Sequence, residues 1–393
     1  MIRSPFLLTL LLFGLVAGVL ALEKAPAVKK IYHYLPSAFW CYFLPMLLAT
    51  FGVLPPASPV YDFLTTYVLA ACLILLLLDI RLGAILRLGP VALSSMAVGA
   101  AGIAVGAVAA YAGFARWLPA GTWKGVGALS ASWIGGSANM LAVKEGLRCP
   151  DTVFAPMVIV DTVITYSWMG LLVALAPFQD AWDRWVGADR RTLEDVVQRI
   201  ETHFGKATVA ADGPSPWHAL WLMGGGMAIG GICLALGKRL PSIENLGLTP
   251  AGWAFILITL AGILLSLTPA ARLERFGASR WGYFSLYLLL AAIGSKAQLQ
   301  YIMKAPLLIA MAYVWVSIHA VLLVAFGYLF RIPMFFLVSS SQANIGGTAS
   351  TPIVSGVYQP RLASLGLLLA ISGNVIGTYA GILIAQGCHL FHP

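Results

Sequence analysis

Ser130-Ala131-Ser132-Trp133-Ile134-Gly135-Gly136-Ser137-Ala138-Asn139 and Ser339-Ser340-Ser341-Gln342-Ala343-Asn344-Ile345-Gly346-Gly347-Thr348-Ala349-Ser350-Thr351-Pro352 are the two stretches that decide how this chain is read. Each sits in a long apolar run, and each sets a pair of glycines among Ser, Thr and Asn. At membrane depth a helix can be interrupted only where the freed backbone is buried in protein or lines a watery cavity. Paired glycines supply the interruption, and Pro352 suits the restart of a helix. Two half-helix N-termini facing a cavity from opposite sides make a place for an anionic group, and unwound carbonyls can hold a cation. A single segment of this kind reads more simply as close helix packing through small residues; two equivalent ones, both rich in amides, favour a site.

The composition sets the solvent. Hydrophobic residues make up 60% of the 393, charged residues only 10%, and the mean hydropathy is +0.88. Soluble domains carry about 25% charged residues, so a soluble globular protein, a disordered chain and a nucleic-acid binder are excluded, leaving a polytopic membrane protein. The excess of 24 Lys and Arg over 15 Asp and Glu lies in the short breaks between apolar runs, where retained loops collect positive charge. The five cysteines are odd in number and include no CxxC, so neither a disulfide framework nor a zinc site is implied.

The apolar runs number twelve: near Pro5 to Leu22, Ala38 to Leu54, Phe63 to Leu78, Val91 to Phe114, Val126 to Val143, Val153 to Pro177, then Ala219 to Leu236, Gly252 to Leu267, Trp281 to Ile293, Leu307 to Phe330, Pro333 to Val354 and Leu362 to Ala385. The first could be a signal peptide, but the two halves match in order. Leu20-Ala21-Leu22-Glu23-Lys24 pairs with Leu234-Ala235-Leu236-Gly237-Lys238, Ile134-Gly135-Gly136-Ser137-Ala138 with Ile345-Gly346-Gly347-Thr348-Ala349, and Gly170 with Gly381 at the same offset. A duplicated six-element unit makes the first run a permanent helix. The organisation expected is an N-terminal repeat over residues 1–178, a cytoplasmic polar linker over 179–217 and a C-terminal repeat over 218–393. The linker holds seven of the fifteen acidic residues, and its Leu193, Val196, Val197, Ile200 and Phe204 fall on one face of an amphipathic surface helix.

Charge orients the halves. The connection Pro55 to Asp62 has no Lys or Arg, whereas its mate, Pro269 to Arg280, has Arg272, Arg275 and Arg280. Positive charge marks the inner side, so the mates lie on opposite sides and the repeats are inverted, although Lys296 and Lys304 then fall outside. Inversion needs an odd number of crossings per half, which makes the Gly-rich element of each half the candidate for re-entry.

Outside the linker the carboxylates are Glu23, Asp62, Asp79, Glu145, Asp151, Asp161, Glu244 and Glu274, and only Asp161 lies well inside an apolar run. A charge there costs about 2.5 to 3.5 kcal/mol on the insertion scale, which suggests a proton or cation role; the plainer alternative is a neutral Asp bonded to Thr165 or Asn139. Its repeat mate is Ser372, with Asn374 two residues on, so Asp161 and Asn374 are the candidates for ion coupling. His319, alone in the middle of an apolar run, reads as a packing residue. Lys296 and Asp79 stand at run ends, where side chains reach the interface. No GxSxG, HExxH, P-loop or dinucleotide fingerprint occurs, so no enzyme is expected, and no cofactor beyond Na+ or H+.

The two-half plan, the paired Gly-rich elements and an Asp on the helix after the first of them resemble the superfamily of cation/proton antiporters and anion transporters, which includes bile acid, glutamate and citrate symporters. GGSANMLAVKEGL and SSQANIGGTASTPIV more closely resemble the uncharacterised membrane family named domain of unknown function 819, over nearly the whole chain. The resemblance implies an all-α elevator-type transporter. Its two inverted repeats would carry crossed discontinuous or re-entrant helices, and a core domain would move against a scaffold that forms a homodimer. Asp161 matches the place of the antiporters' ion-binding Asp, but Thr162 follows where the electrogenic members have a second Asp. Ser137, Asn139, Asn344, Thr348 and Ser350 match the symporters' substrate and sodium region, with Gly135, Gly136, Gly346 and Gly347 as the helix breaks. The function expected is secondary active transport of a small anionic organic solute, coupled to sodium or protons, in a bacterial inner membrane. The alternatives are a cation/proton antiporter without organic substrate and a membrane-embedded enzyme.

Overall fold

A computed structural model describes residues 4–28, 31–32, 35, 37–78, 85, 88–189, 215–243, 249–297, 305–359 and 362–391. Among them the chain is helical: α1 Pro5–Glu23, α2 Ser37–Thr50, α3 Pro59–Leu78, α4 Pro90–Phe114, α5 Thr122–Gly135, α6 Ser137–Gly146, α7 Asp151–Ala174 and α8 Gln179–Val186. After the linker come α9 Pro216–Gly237, α10 Pro250–Ser266, α11 Ala278–Lys296, α12 Ala305–Phe330, α13 Met334–Tyr358, α14 Ala363–Gly373 and α15 Gly377–His389. The amphipathic helix expected over Arg190 to Phe204, and Asp79 and Lys304, lie outside the described residues.

Among the described residues six helices are long and apolar enough to cross a membrane, namely α1, α3, α4, α7, α9 and α12, and two bent pairs add two more if each is one span. One pair is α10 with the 3-10 segment Pro269–Phe276, bent by 91°; the other is α14 with α15, bent by 55°. The run Leu362 to Ala385 is therefore not one element. It breaks at Gly373–Gly377, where both glycines lie so close to Ile134 and Gly135 that no side chain fits. The helices that carry the quoted Gly-rich segments, α5, α6 and α13, are not among the six. The first break leaves α5 and α6 at 14 and 10 residues, too short to span, and the polar residues of α13 lower its hydropathy; burial spares Ser130, Ser132, Asn139, Ser339, Ser340, Gln342 and Asn344 contact with lipid.

By contact the chain forms two units, each built from both sequence halves. The first comprises Met1–Asp79, Leu141–Thr162 and Ala211–Leu308; the second comprises Ile80–Met140, Val163–Ala210 and Ile309–Pro393.

In the first unit α3 is central, with α9, α10 and α11 packed on it. Its Leu69–Leu78 segment is apolar all round and almost wholly buried, as a helix surrounded by others must be. Gly226 and Gly230 of α9 let that helix lie directly on Ala71 and Ala70. The α1 helix buries the stripe Leu8, Leu12, Val16 and Val19 and packs against α2 and α11. The same unit holds a charged group: the buried Lys144 ammonium is 2.9 Å from Glu145 Oε1 and 3.1 Å from Asp151 Oδ1. The Thr249 hydroxyl, which caps α10 by accepting from Gly252 N, donates to Gly146 O at 2.7 Å.

The second unit is built around α13, which packs against α4, α5, α8 and α14, while α15 packs along α5 and α4. Glycines 99, 102 and 106 line one face of α4 and admit Asn344, His319 and Trp315 to its backbone. The Trp315 indole donates to Ile103 O at 2.7 Å. The N-terminus of α13 is closed by α8, whose buried Asp183 accepts from Met334 N at 2.9 Å and whose Trp182 indole donates to Ile332 O at 3.1 Å. A carboxylate at a helix N-terminus meets both an unpaired N–H and the positive end of the dipole.

Candidate functional site: two glycine breaks in the second unit

The α5 helix ends at Gly135, and Gly136 turns the chain with φ +81° and ψ 171° before α6 begins at Ser137. That region of backbone space is open essentially to glycine alone. The break strands backbone groups, and its neighbours take them up. Gly136 N donates to Ser132 O at 2.6 Å, and the Asn139 amide reaches back to Gly135 O at 2.5 Å. The same amide group lies 3.4 Å from Asn374 O, and Asn139 Oδ1 accepts from the Thr378 hydroxyl at 2.5 Å. The first break thus nests on the break between α14 and α15. Neither Gly373, whose added Cβ would collide with the Ile134 carbonyl, nor Gly377, whose Cβ would come 2.7 Å from Gly135 Cα, leaves room for a side chain.

The second break lies inside α13. Gly347 has φ +61° and ψ −154°, again a glycine conformation, between two helical pieces. Ile345 O, at the end of the first piece, accepts from the Thr165 hydroxyl of α7 at 2.9 Å, and Gly347 O accepts from Thr351 Oγ1 at 2.5 Å. The pieces are also stitched by Ser355 Oγ donating to Ser339 Oγ at 2.9 Å, and by Gln342 Nε2 donating to Ser350 Oγ at 2.7 Å across Gly346.

Two buried amides beside this break keep one end free. Asn344 Nδ2 donates to Ser340 O at 2.9 Å and lies 3.5 Å from Met96 O. Because a carbonyl can only accept, the nitrogen must face it, and Oδ1 is the end left over. Among the described residues neither Asn344 Oδ1 nor Gln342 Oε1 has a hydrogen-bond partner, although both side chains are fully buried. Leaving such a group unpaired costs about 1–3 kcal/mol.

His319 packs one turn away in the same network, and its proton can be placed. Nδ1 is 2.9 Å from Gly99 O, so it carries the hydrogen; Nε2, 2.9 Å from Ser341 Oγ, is then the acceptor. The Ser341 hydroxyl donates to it and accepts from Trp168 Nε1 at 2.9 Å. The imidazole is neutral and both its nitrogens are satisfied, the packing role expected of it.

Of the expected site residues, Gly135, Gly136, Asn139 and Asn374 meet at the first break, and Asn344, Gly346, Gly347 and Ser350 at the second. Asn374 contributes its carbonyl to Asn139, and its Oδ1 lies beside Gly136. Ser137 and Thr348 are half-buried and begin the helical pieces after each break. Asp161 is half-buried on α7, belongs to the first unit and is engaged with a neighbour. Sequence reasoning missed Gln342, Thr165 and Thr378. Gln342 is one polar residue among Ser339, Ser340, Ser341 and Asn344 and is not singled out by type, Thr378 is a lone hydroxyl between Gly377 and Tyr379, and Thr165, named only as a partner for Asp161, is one turn beyond it, the distance at which a helix presents the same face. Residues 80–144 and 275–393, which supply both breaks, contain no Asp or Glu; Glu145, near the far end of α6, is paired with Lys144, so the side chains at the breaks themselves offer neutral oxygens and amides.

Comparison with known proteins agrees with the helices and their composition. The chain is 24% identical over 348 residues to the uncharacterized membrane protein YjcL of Bacillus subtilis (strain 168), an alignment that covers 86% of each chain. With several apolar helices of spanning length and a membrane-protein relative, this is an integral membrane protein. The family described as "Protein of unknown function (DUF819)" matches residues 10–391, nearly the whole length, and the chain belongs to that family.

Proposed function

We propose that this protein is a secondary active transporter of a small anionic organic solute, coupled to sodium or protons, in a bacterial inner membrane. The observation that carries the reading is the pair of buried, half-satisfied amides, Gln342 and Asn344, beside a helix break. Each buried acceptor oxygen without a donor costs about 1–3 kcal/mol, and here two of them gather beside one break. A cation bound in the transport cycle supplies what those oxygens lack. The amides of the half-helices beginning at Ser137 and Thr348 suit the solute's negative group, and the one carboxylate in these half-helices, Glu145 at the far end of α6, is paired with Lys144. Neutral donors hold an anion loosely enough to release it. In this reading the sequence halves 1–178 and 218–393 are inverted repeats, Asp161 titrates or binds the coupling ion, and a homodimer moves its transporting parts in an elevator cycle.

The test is thermal unfolding of the purified chain in sodium against potassium at equal ionic strength, over a range of pH, with a panel of small mono- and dicarboxylates. A carboxylate-dependent rise in melting temperature that grows with sodium or with acidity, and that Asn344→Leu removes, supports the proposal. No response to any combination, or an undiminished response in the variant, overturns it. The second reading, a cation/proton antiporter, is favoured by Asp161, a mid-span carboxylate that needs no organic partner. It predicts a sodium response that no carboxylate changes.

A further inference from the structure

An apolar groove of about 550 Å³ lies in the second unit between α4 and α15, lined by Ala104, Val105, Val108, Ala112, Leu383 and Phe391. It is concave because α4 presents small side chains there and because Gly387 of α15 lets Val108 approach. One end of it is charged. Arg116 follows Ala112 by four residues, about 6 Å along the chain axis, and its guanidinium lies 3.9 Å over the exposed Trp117 ring. Phe391 follows His389, whose ring packs 4.4 Å from that of Trp123; Lys124 Nζ is 5.3 Å from the same Trp123 ring. Two cations on aromatic platforms therefore stand at the end where α4 stops, which is the arrangement of a membrane–water interface. The stretch 80–144, which carries both cations and the α4 wall of the groove, has no Asp or Glu of its own.

We infer that this groove holds an acyl chain of an anionic phospholipid whose phosphate is bound by Arg116 and Lys124. The groove supplies an apolar surface about two turns of α4 long, from Ala104 to Ala112, and the cations supply charge complementary to the headgroup. A zwitterionic lipid fits the groove equally well but loses most of the electrostatic gain. Each cation near an anionic headgroup is worth about a fivefold preference.

The experiment is native mass spectrometry of the full-length protein in detergent, equilibrated with equal amounts of phosphatidylglycerol and phosphatidylcholine. Retention of phosphatidylglycerol over phosphatidylcholine is expected, with the preference falling about fivefold in Arg116→Gln and further in the Arg116→Gln, Lys124→Gln pair. Ala109→Phe, an exposed groove position, should reduce the retention of both lipids without changing their ratio. Inorganic phosphate alone should not compete. Equal retention of the two lipids by the unmodified protein, unchanged preference in the double variant, or full competition by phosphate overturns the inference. So does a change of oligomeric state, in place of lipid loss, in Ala109→Phe, which would make the groove a protein interface.

Discussion

Thr378 donates its hydroxyl hydrogen to Asn139 Oδ1 at 2.5 Å, joining residues 239 positions apart at the point where two helices are interrupted. Asn139 thereby uses its oxygen on α15 and its nitrogen on Gly135 O and Asn374 O, so that one side chain closes two breaks. Asn139→Ala should lower stability by ~1–3 kcal/mol, because it takes one partner each from Gly135 O, Asn374 O and the Thr378 hydroxyl. Thr378→Val should cost less on its own. Denaturant unfolding of the two single variants and the double variant should give a coupling of ~1 kcal/mol or more; additive losses would show that the two side chains do not act together.

Gly136 and Gly347 both occupy backbone space that a Cβ closes. Gly136→Ala and Gly347→Ala should each cost ~1–3 kcal/mol. Neither loss comes from crowding, since an added Cβ at Gly347 meets nothing within 4 Å and at Gly136 only Asn374 Oδ1 at 3.6 Å. Gly18→Ala, on α1 with open space around it, is the control. Conformational strain should destabilise the first two variants and spare the third, as read by melting temperature. Equal tolerance at all three would mean that the breaks are not held in this conformation.

His319 is held as a neutral imidazole between Gly99 O and Ser341 Oγ. His319→Leu should destabilise the protein by ~1–3 kcal/mol, because it strips a donor from Gly99 O and an acceptor from Ser341. It should leave the pH dependence of any solute or sodium response in place. If the variant is stable and the pH dependence disappears, the histidine is a proton carrier and not a packing residue.

What the sequence made legible follows from how far a signal reaches along the chain. Gly135-Gly136 and Gly346-Gly347 announce breaks because glycine pairs beside Ser, Thr and Asn are costly in an apolar helix unless the backbone needs them. The third interruption, at Gly373–Gly377, was hidden in a run that stays apolar through Leu369, Ile371, Val375 and Ile376. Its cause is the close approach of Gly135 and Ile134, more than two hundred positions earlier, and no local pattern carries that. Gln342 was passed over for the same reason. Its polarity is plain in the sequence, but that its oxygen finds no donor is a property of the packed helix. The interleaving of both sequence halves in each contact unit depends on which faces meet, and hydropathy specifies only that faces are apolar.

Asp161 supplies the sharpest separation between coupling and structure. It stands mid-way along α7, one turn before Thr165, whose hydroxyl holds the carbonyl of Ile345 at the second break. Asp161→Asn keeps the size of the side chain and one acceptor oxygen, removes the charge and puts an NH2 donor in place of the second oxygen. The variant should therefore fold and melt within about 1 kcal/mol of the unmodified protein, yet lose the sodium- or acid-dependent part of its response to carboxylates. Thr165→Val should do the reverse, lowering stability by unpairing Ile345 O while leaving the ion dependence present. Should Asp161→Asn melt much earlier with its ion response intact, the carboxylate is a structural anchor, and coupling must be sought at Gln342 and Asn344.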